Sequence, residues 1–447
     1  MASPPVDPVV SDPSPPAAAD AVVVGAGIIG ACAALALAEK GLSVALVEKG
    51  VVGGEQSSRN WGWCRQQGRD SREIPLIKAS LAEWDRMAGR TGRDLGFRRA
   101  GVAYVTDKPA ELAAWEAWVA RAREHQIDSR MLSRAEAAEL FPDARADWIG
   151  GVATPSDGRA EPARAAPAIA EALRARGGHV LTHCAVRGLE TEAGAVSAVV
   201  TEQGPIRTRL VLLAAGAWSN LFLKRHGLEM PQLCVRASVL RTAPAPAPAP
   251  AVTDGALGAP DFSLRRRLDG GYNLALGGAV AFDLTPDAFR YLRAFWPAFL
   301  AERKHMRLRL GRPFLDALRQ PTDWPLDGES PFERTRILDP EPDDRVLDQA
   351  LSALKRAFPA LAGVEVAGRW AGLIDATPDA VPAIGPVAAQ PGLFIAAGFS
   401  GHGFGIGPGA GRLAADLVAG DPPLVDPAPF RFSRFSDGTT LALEAGL

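Results

Sequence analysis

Gly25, Gly27 and Gly30 have the spacing of a turn that wraps a diphosphate, and Glu48 stands where an acid would reach the hydroxyls of the attached ribose. Each glycine has a separate task in such a turn: a tight reversal, close backbone approach to the pyrophosphate, and close packing of helix on strand. The following helix adds unpaired amides and a dipole that favours an anion. Elements that could hold these residues are present. The run Ala21-Val-Val-Val24 feeds the turn, Ala31–Lys40 reads as a helix of small residues, and Val44-Ala-Leu-Val-Glu48 closes the unit as a second strand. Strand, turn, helix, strand and terminal acid together predict a dinucleotide site, with Ile28, Ile29 and Lys49 flanking its key positions.

The 447 residues, 47% of them hydrophobic, predict a large core and at least two domains. A net charge of −2 offers no general attraction to nucleic acid or to an anionic membrane surface. Cys32, Cys64, Cys184 and Cys234 are scattered without metal-type spacing, which argues against structural zinc or a disulfide scaffold and suits a reducing compartment. The first twenty residues lack the pattern of a signal peptide and read as a disordered tail. No apolar run reaches the roughly eighteen residues of a transmembrane helix. The expected location is the cytoplasm.

Further along, Ser71–Arg90 and Lys108–His125 read as helices, Phe97–Thr106 as a strand, and Ser133 with Glu136 as a capping box. Ala243–Ala251 alternates alanine and proline and is expected to be extended. Phe262–Gly278 reads as a hairpin around Asp269-Gly-Gly, and Pro286–Arg307 as a helical stretch. A strand running into a glycine turn occurs near residues 25, 213 and 396. The expected fold is therefore α/β, with a discontinuous Rossmann-like domain over 20–95, 150–235 and 364–425. A mixed-sheet substrate domain is expected over 96–149 and 236–363, with tails at 1–19 and 426–447.

Four blocks carry a wider resemblance: Gly25–Gly30 with Glu48, Ser57-Ser-Arg-Asn-Trp-Gly62, Leu210–Trp218, and Gly392–Pro408 with its Ser-Gly-His-Gly-Phe-Gly core. On these the chain resembles the D-amino-acid oxidase and sarcosine oxidase superfamily of FAD-dependent amine-oxidising flavoproteins. The resemblance implies FAD as cofactor. Ser57, Ser58 and Arg59 would serve its diphosphate, with Asn60 and Gly62 in the same element. Val186 would meet adenine, and Ala215, Gly216 and Trp218 the ribityl and adenosine portion. Gly401, His402, Gly403, Phe404 and Gly405 would border the flavin, the alternating glycines letting backbone approach a flat ligand. His402 either shapes that pocket or acts as a base.

The departures from the superfamily pattern are informative. Where some members carry a flavin-tethering cysteine this chain has Gly372, so FAD is expected to be non-covalent. Where one branch has a carboxylate-binding lysine this chain has Gly405, and Ala275 replaces another lysine that assists reaction with oxygen. Arg65 matches an arginine lying against the flavin and is the first candidate for catalysis. Trp63, Gln67, Arg265 and Asp375 are candidates for the substrate wall, although a solvated basic edge would account for most of Arg265–Arg267. The resemblance implies oxidation of the C–N bond of an amino acid or secondary amine, by hydride transfer to flavin N5, with oxygen or another compound as final electron acceptor. Oxidation of a 2-hydroxy acid on the same fold, or service as an FAD-binding subunit, are the alternatives. No metal site is expected.

Overall fold

The computed structural model describes residues 4–247, 255–303 and 306–444. Ala21–Val24 and Val44–Val47 are buried along their whole length and pair in parallel, Ala21 opposite Val44. Leu210–Leu213 joins the other side of Ala21–Val24, and Leu393–Ala397 follows it, again in parallel. His179–Leu181 and the antiparallel Ala383–Pro386 complete the edges of a six-stranded sheet. Continuous apolar runs suit such strands because both faces are covered, one by helices Ile28–Glu39 and Gly403–Ala419 and the other by a three-stranded sheet of Val186–Glu192, Ala195–Thr201 and Gly204–Arg207. All three strand-and-glycine-turn units therefore meet in one sheet.

Helix Gly403–Ala419 packs on helix Ile28–Glu39, and small residues set how closely. A Cβ on Gly407 would lie 2.8 Å from Ile28 Cγ1, and one on Gly411 2.5 Å from Cys32 Cβ. A Cβ on Gly405 would lie 3.0 Å from Cys64 Cα. The helix already begins at Gly403, so most of its glycines serve helix contacts rather than approach to a flat ligand.

A second, ten-stranded sheet is organised by Leu233–Thr242, which pairs along its length with Val366–Ala376. That pairing moves Val366–Ala376 out of the nucleotide domain expected from its position in the chain. Gly150–Thr154 moves likewise, because it lies between Val102–Thr106 and Arg130–Ser133. Period and composition identify a strand, but only its partner decides which sheet it joins. The Phe262–Arg266 and Tyr272–Ala275 hairpin forms as expected. The stretch from Pro286 breaks into helices Pro286–Arg290 and Leu292–Glu302 and strand Met306–Arg309.

Among the described residues, both expected tails are anchored to the fold. Asp7 N–H donates to the Ala163 carbonyl (3.1 Å), Asp12 N–H to that of Val180 (2.8 Å), and Ala18 bridges to Arg207. Near the other end Phe430 is buried, and Arg434 forms a buried ion pair with Asp379 at 3.2 Å. Proline-rich composition hid these contacts because they use backbone amides and single anchors rather than a periodic apolar face. Residues 248–251 of the alanine-proline run lie outside the described residues. Among the described residues no helix is long and apolar enough to cross a membrane.

Candidate functional site

An elongated cleft of about 150 Å³ runs over the C-terminal ends of the first strands. Gly25 makes the reversal at φ +99°, and a Cβ on Gly30 would stand only 1.9 Å from the Gly25 carbonyl oxygen. Turn and helix can touch this closely only because both positions are glycine. The Glu48 carboxylate accepts the N–H groups of Ala26 and Gly50, each at 2.8 Å, and burial raises its pKa. The Ser57 hydroxyl accepts the Ile28 amide at 2.8 Å, leaving its own proton available to a ligand.

Gly27, Ile29, Lys49, Asn60, Val186 and Ala215 line the cleft with these groups, as do Gly216, Trp218, Asp375, Gly401, Gly403 and Phe404. Lys49 sits 4.5 Å over the Trp218 ring and pairs with Glu55 at 2.7 Å. Burial lifts Asp375 to about 6 against hydrogen bonds from Gly398 N–H and Gln232. A narrow groove with a glycine turn, a helix N-terminus and a buried acid at one end fits a dinucleotide such as FAD.

A wider cavity of about 450 Å³ adjoins the cleft, sharing Gln56, Asn60, Ile374, Gly401 and Phe404 with it. Trp61, Trp63, Tyr104, Trp115 and Trp118 wall one region of it, and Trp63 meets both Trp61 and Tyr104 edge to face. Arg65, Gln67, Arg69 and His402 line the same cavity. Arg65 is half-buried and donates to the Gln67 carbonyl. The loop carrying these residues is held from beneath by Asp157, which accepts the amides of Gln66 (2.6 Å) and Gln67 (3.3 Å). Burial pushes Asp157 up to about 6 despite those bonds.

Arg69 is one residue that sequence reasoning missed. Its guanidinium is buried, its Nε donates to the Arg65 carbonyl at 3.1 Å, and its Nη1 has no partner. Burial, reinforced by the Arg65 charge, lowers its pKa to about 10. The only signal in the chain was its place in the same short loop as Arg65.

Several expected site residues point elsewhere. Arg59 turns its guanidinium from the diphosphate cleft to Asp339 (2.6 Å) and the Ala371 carbonyl (2.8 Å). Ser58 donates to the Glu55 carbonyl, and Gly62, at φ +81°, makes room for Arg265 Nε, 2.8 Å from its would-be Cβ. Arg265 is neither a solvated edge nor part of the cavity wall. It is fully buried, paired with Glu161 at 2.9 Å and bonded to the Trp61 carbonyl at 2.6 Å. The loop around residue 61 and Glu161 cover the strand at this position.

Gly405 and Gly372 line neither cavity. A side chain at 405 would be crowded, its Cβ standing 3.0 Å from Cys64 Cα and 3.1 Å from the Trp63 carbonyl oxygen. A Cβ at 372 would stand 2.1 Å from Gln56 Oε1. Ala275 is buried beside the wide cavity rather than in its wall, which continues from Leu276 to Val280. None of the free cysteines lines either cavity, so no thiol is placed to tether a flavin. Acid precipitation is therefore expected to leave the flavin in the supernatant; yellow colour retained in the washed pellet would show a covalent bond. Among the described residues no cluster of His, Cys, Asp and Glu is arranged to hold a metal ion.

Comparison with known proteins agrees with this geometry. The family model "FAD dependent oxidoreductase" (DAO) matches residues 20–417. Glycine oxidase of Pseudomonas aeruginosa is 28% identical over 92% of this chain and 97% of its own length. Mitochondrial sarcosine dehydrogenase of Mus musculus is 24% identical over 95% of this chain but only 42% of that longer protein. The structure of L-amino acid deaminase from Proteus myxofaciens superposes with a TM-score of 0.92 at 31% identity, covering 97% of each chain. The chain accordingly uses FAD and belongs to the DAO family of FAD-dependent oxidoreductases.

Proposed function

We propose that this protein oxidises the C–N bond of a free amino acid with a large apolar side chain. The observation that carries this reading is the wide cavity, where an aromatic wall, Arg65 and Arg69 line the same space next to the FAD cleft. When bound, FAD supplies the acceptor for the hydride removed from the α-carbon. Arg69, with Arg65 beside it, offers charge-assisted donors to the substrate carboxylate. The tryptophans exclude water and hold the side chain, so that orientation and desolvation lower the barrier. The imine product then hydrolyses in water.

A cavity of about 450 Å³ leaves glycine poorly held, whereas a leucine- or phenylalanine-sized side chain fills it better. The Proteus deaminase structure was solved with anthranilate, an aromatic carboxylate, which agrees with this reading. Electrons pass on to oxygen or to another acceptor. FAD non-covalently held and a reducing, cytoplasmic setting, suited to four free thiols, complete the proposal.

The test is anaerobic mixing of the yellow protein with large apolar amino acids, glycine, N-methyl amino acids, simple amines and 2-hydroxy acids. Fast bleaching is expected with the first group and slow bleaching with glycine. Bleaching by hydroxy acids alone would replace C–N with C–O oxidation. No bleaching by any of them, while dithionite still reduces the flavin, would reject the catalytic reading.

A further inference from the structure

Within Ser400–Phe404, Gly403 lines only the FAD cleft, whereas His402 lines only the wide cavity. The imidazole is 4% exposed and its Nδ1 lies 3.1 Å from Oε2 of Glu73, which is itself fully buried. His402 Nε2 and Glu73 Oε1 have no hydrogen-bond partner. Buried polar atoms are nearly always paired, so a buried, unpartnered Nε2 on a residue that lines the cavity marks a place for a ligand donor. The carboxylate fixes the tautomer: Nδ1 carries the proton and donates to Glu73, which leaves the lone pair on Nε2.

We propose that His402 Nε2 accepts a proton from the substrate's ammonium group, with Glu73 as the positioning residue that orients the ring and stabilises it once charged. This rests on the amino-acid reading above. Only the free amine has the nitrogen lone pair that forms C=N as the α-hydrogen leaves with its electron pair. In the step, an ammonium N–H bond breaks and an Nε2–H bond forms. The positive charge passes to an imidazolium beside Glu73, while FAD remains the oxidant.

The surroundings keep His402 ready to accept. Burial and the charges of Arg69 and Arg65 lower its pKa to about 4, against the opposing effect of Glu73. Arg69, Glu73 and Arg65 are the charged groups that act on the ring, and Arg59 and Glu302 are the other charged residues lining the cavity. Substrate binding narrows the gap to the ammonium pKa from both sides. The bound carboxylate offsets the arginine charges that depress His402, and removal from water favours the neutral amine. Because carboxylate and ammonium share one carbon, an arginine anchor on this wall brings the ammonium to the same wall.

The test is the pH dependence of anaerobic flavin reduction, as the apparent second-order rate constant at low substrate, for wild type, His402→Asn and Glu73→Gln. Wild type should be flat from about pH 6 to 9, because neutral His402 and the ammonium form are both abundant there. His402→Asn should fall by about 10²-fold near neutrality. Its rate should then climb about tenfold per pH unit towards the substrate's ammonium pKa, since only amine formed in solution reacts.

Glu73→Gln should keep the flat profile at a rate about tenfold lower, the imidazolium having lost its carboxylate partner. Tryptophan fluorescence quenching by 2-aminoisobutyrate, which has no α-hydrogen, gives a readout independent of turnover. Binding within a few-fold of wild type would show that the variant cavities are intact. A flat profile in His402→Asn, or a tenfold-per-unit climb in wild type, overturns the proposal. Loss of binding in His402→Asn passes the decision to Glu73→Gln, where an unchanged rate overturns it. Failure of every amino acid to reduce wild type at any pH removes the substrate reading as well.

Discussion

Gly30→Ala is expected to lose FAD on dialysis while remaining folded enough to be purified. The new methyl group would lie 1.9 Å from the Gly25 carbonyl oxygen and 3.1 Å from its carbon, both backbone atoms that no rotamer change can clear. Helix Ile28–Glu39 must back away or the turn must open. Either shift misplaces the amides that face the diphosphate. Overpacking of this kind costs about 1–3 kcal/mol, and where it falls on the bound state it weakens FAD by roughly 5- to 150-fold. Gly89→Ala is the control. It sits in helix Ile74–Thr91 with nothing within 4 Å of its Cβ, so binding should be unchanged and stability should rise by about 0.5–1 kcal/mol. Full flavin occupancy in Gly30→Ala after dialysis would contradict this account of the turn.

Arg69→Met should raise KM for amino acids by about 10²- to 10³-fold with FAD content intact. Removing one side of a buried charge pair costs about 2–5 kcal/mol, because the carboxylate left behind has neither water nor a partner. Arg65→Met should cost less, since Arg65 is half-buried and already donates to the Gln67 carbonyl. Amines without a carboxylate should lose little in either variant. If amino acids kept their KM in Arg69→Met, the carboxylate would have to be anchored elsewhere on the wall.

The nucleotide half of this protein was legible in the sequence because its signals are local. Gly25, Gly30 and Glu48 belong to one strand–helix–strand unit, and backbone sterics alone tie their spacing to the shape of the turn. Ser133 and Glu136 announced their capping box for the same reason, and both halves of it are formed. The resemblance carried by Ser57–Gly62 and Gly392–Pro408 extended this to FAD and to the family. It transferred positions better than orientations: Ser57 and Asn60 face the cleft, but Arg59, between them in sequence, turns to Asp339.

The sequence by itself therefore determined the dinucleotide turn, its acid and the family, since these follow from neighbours in the chain. The tertiary structure alone decided what each long side chain does. Arg65, Arg69 and Arg265 are alike as residues, yet Arg265 is consumed by Glu161, Arg65 is half-engaged, and Arg69 keeps a buried Nη1 without a partner. It also decided that Glu73 reaches His402 across 329 positions of chain, and that Gly407 and Gly411 serve helix packing. A guanidinium or imidazole takes its role from the partners around it. Those partners come from distant strands and loops, whose meeting is settled by sheet pairing and burial rather than by spacing along the chain.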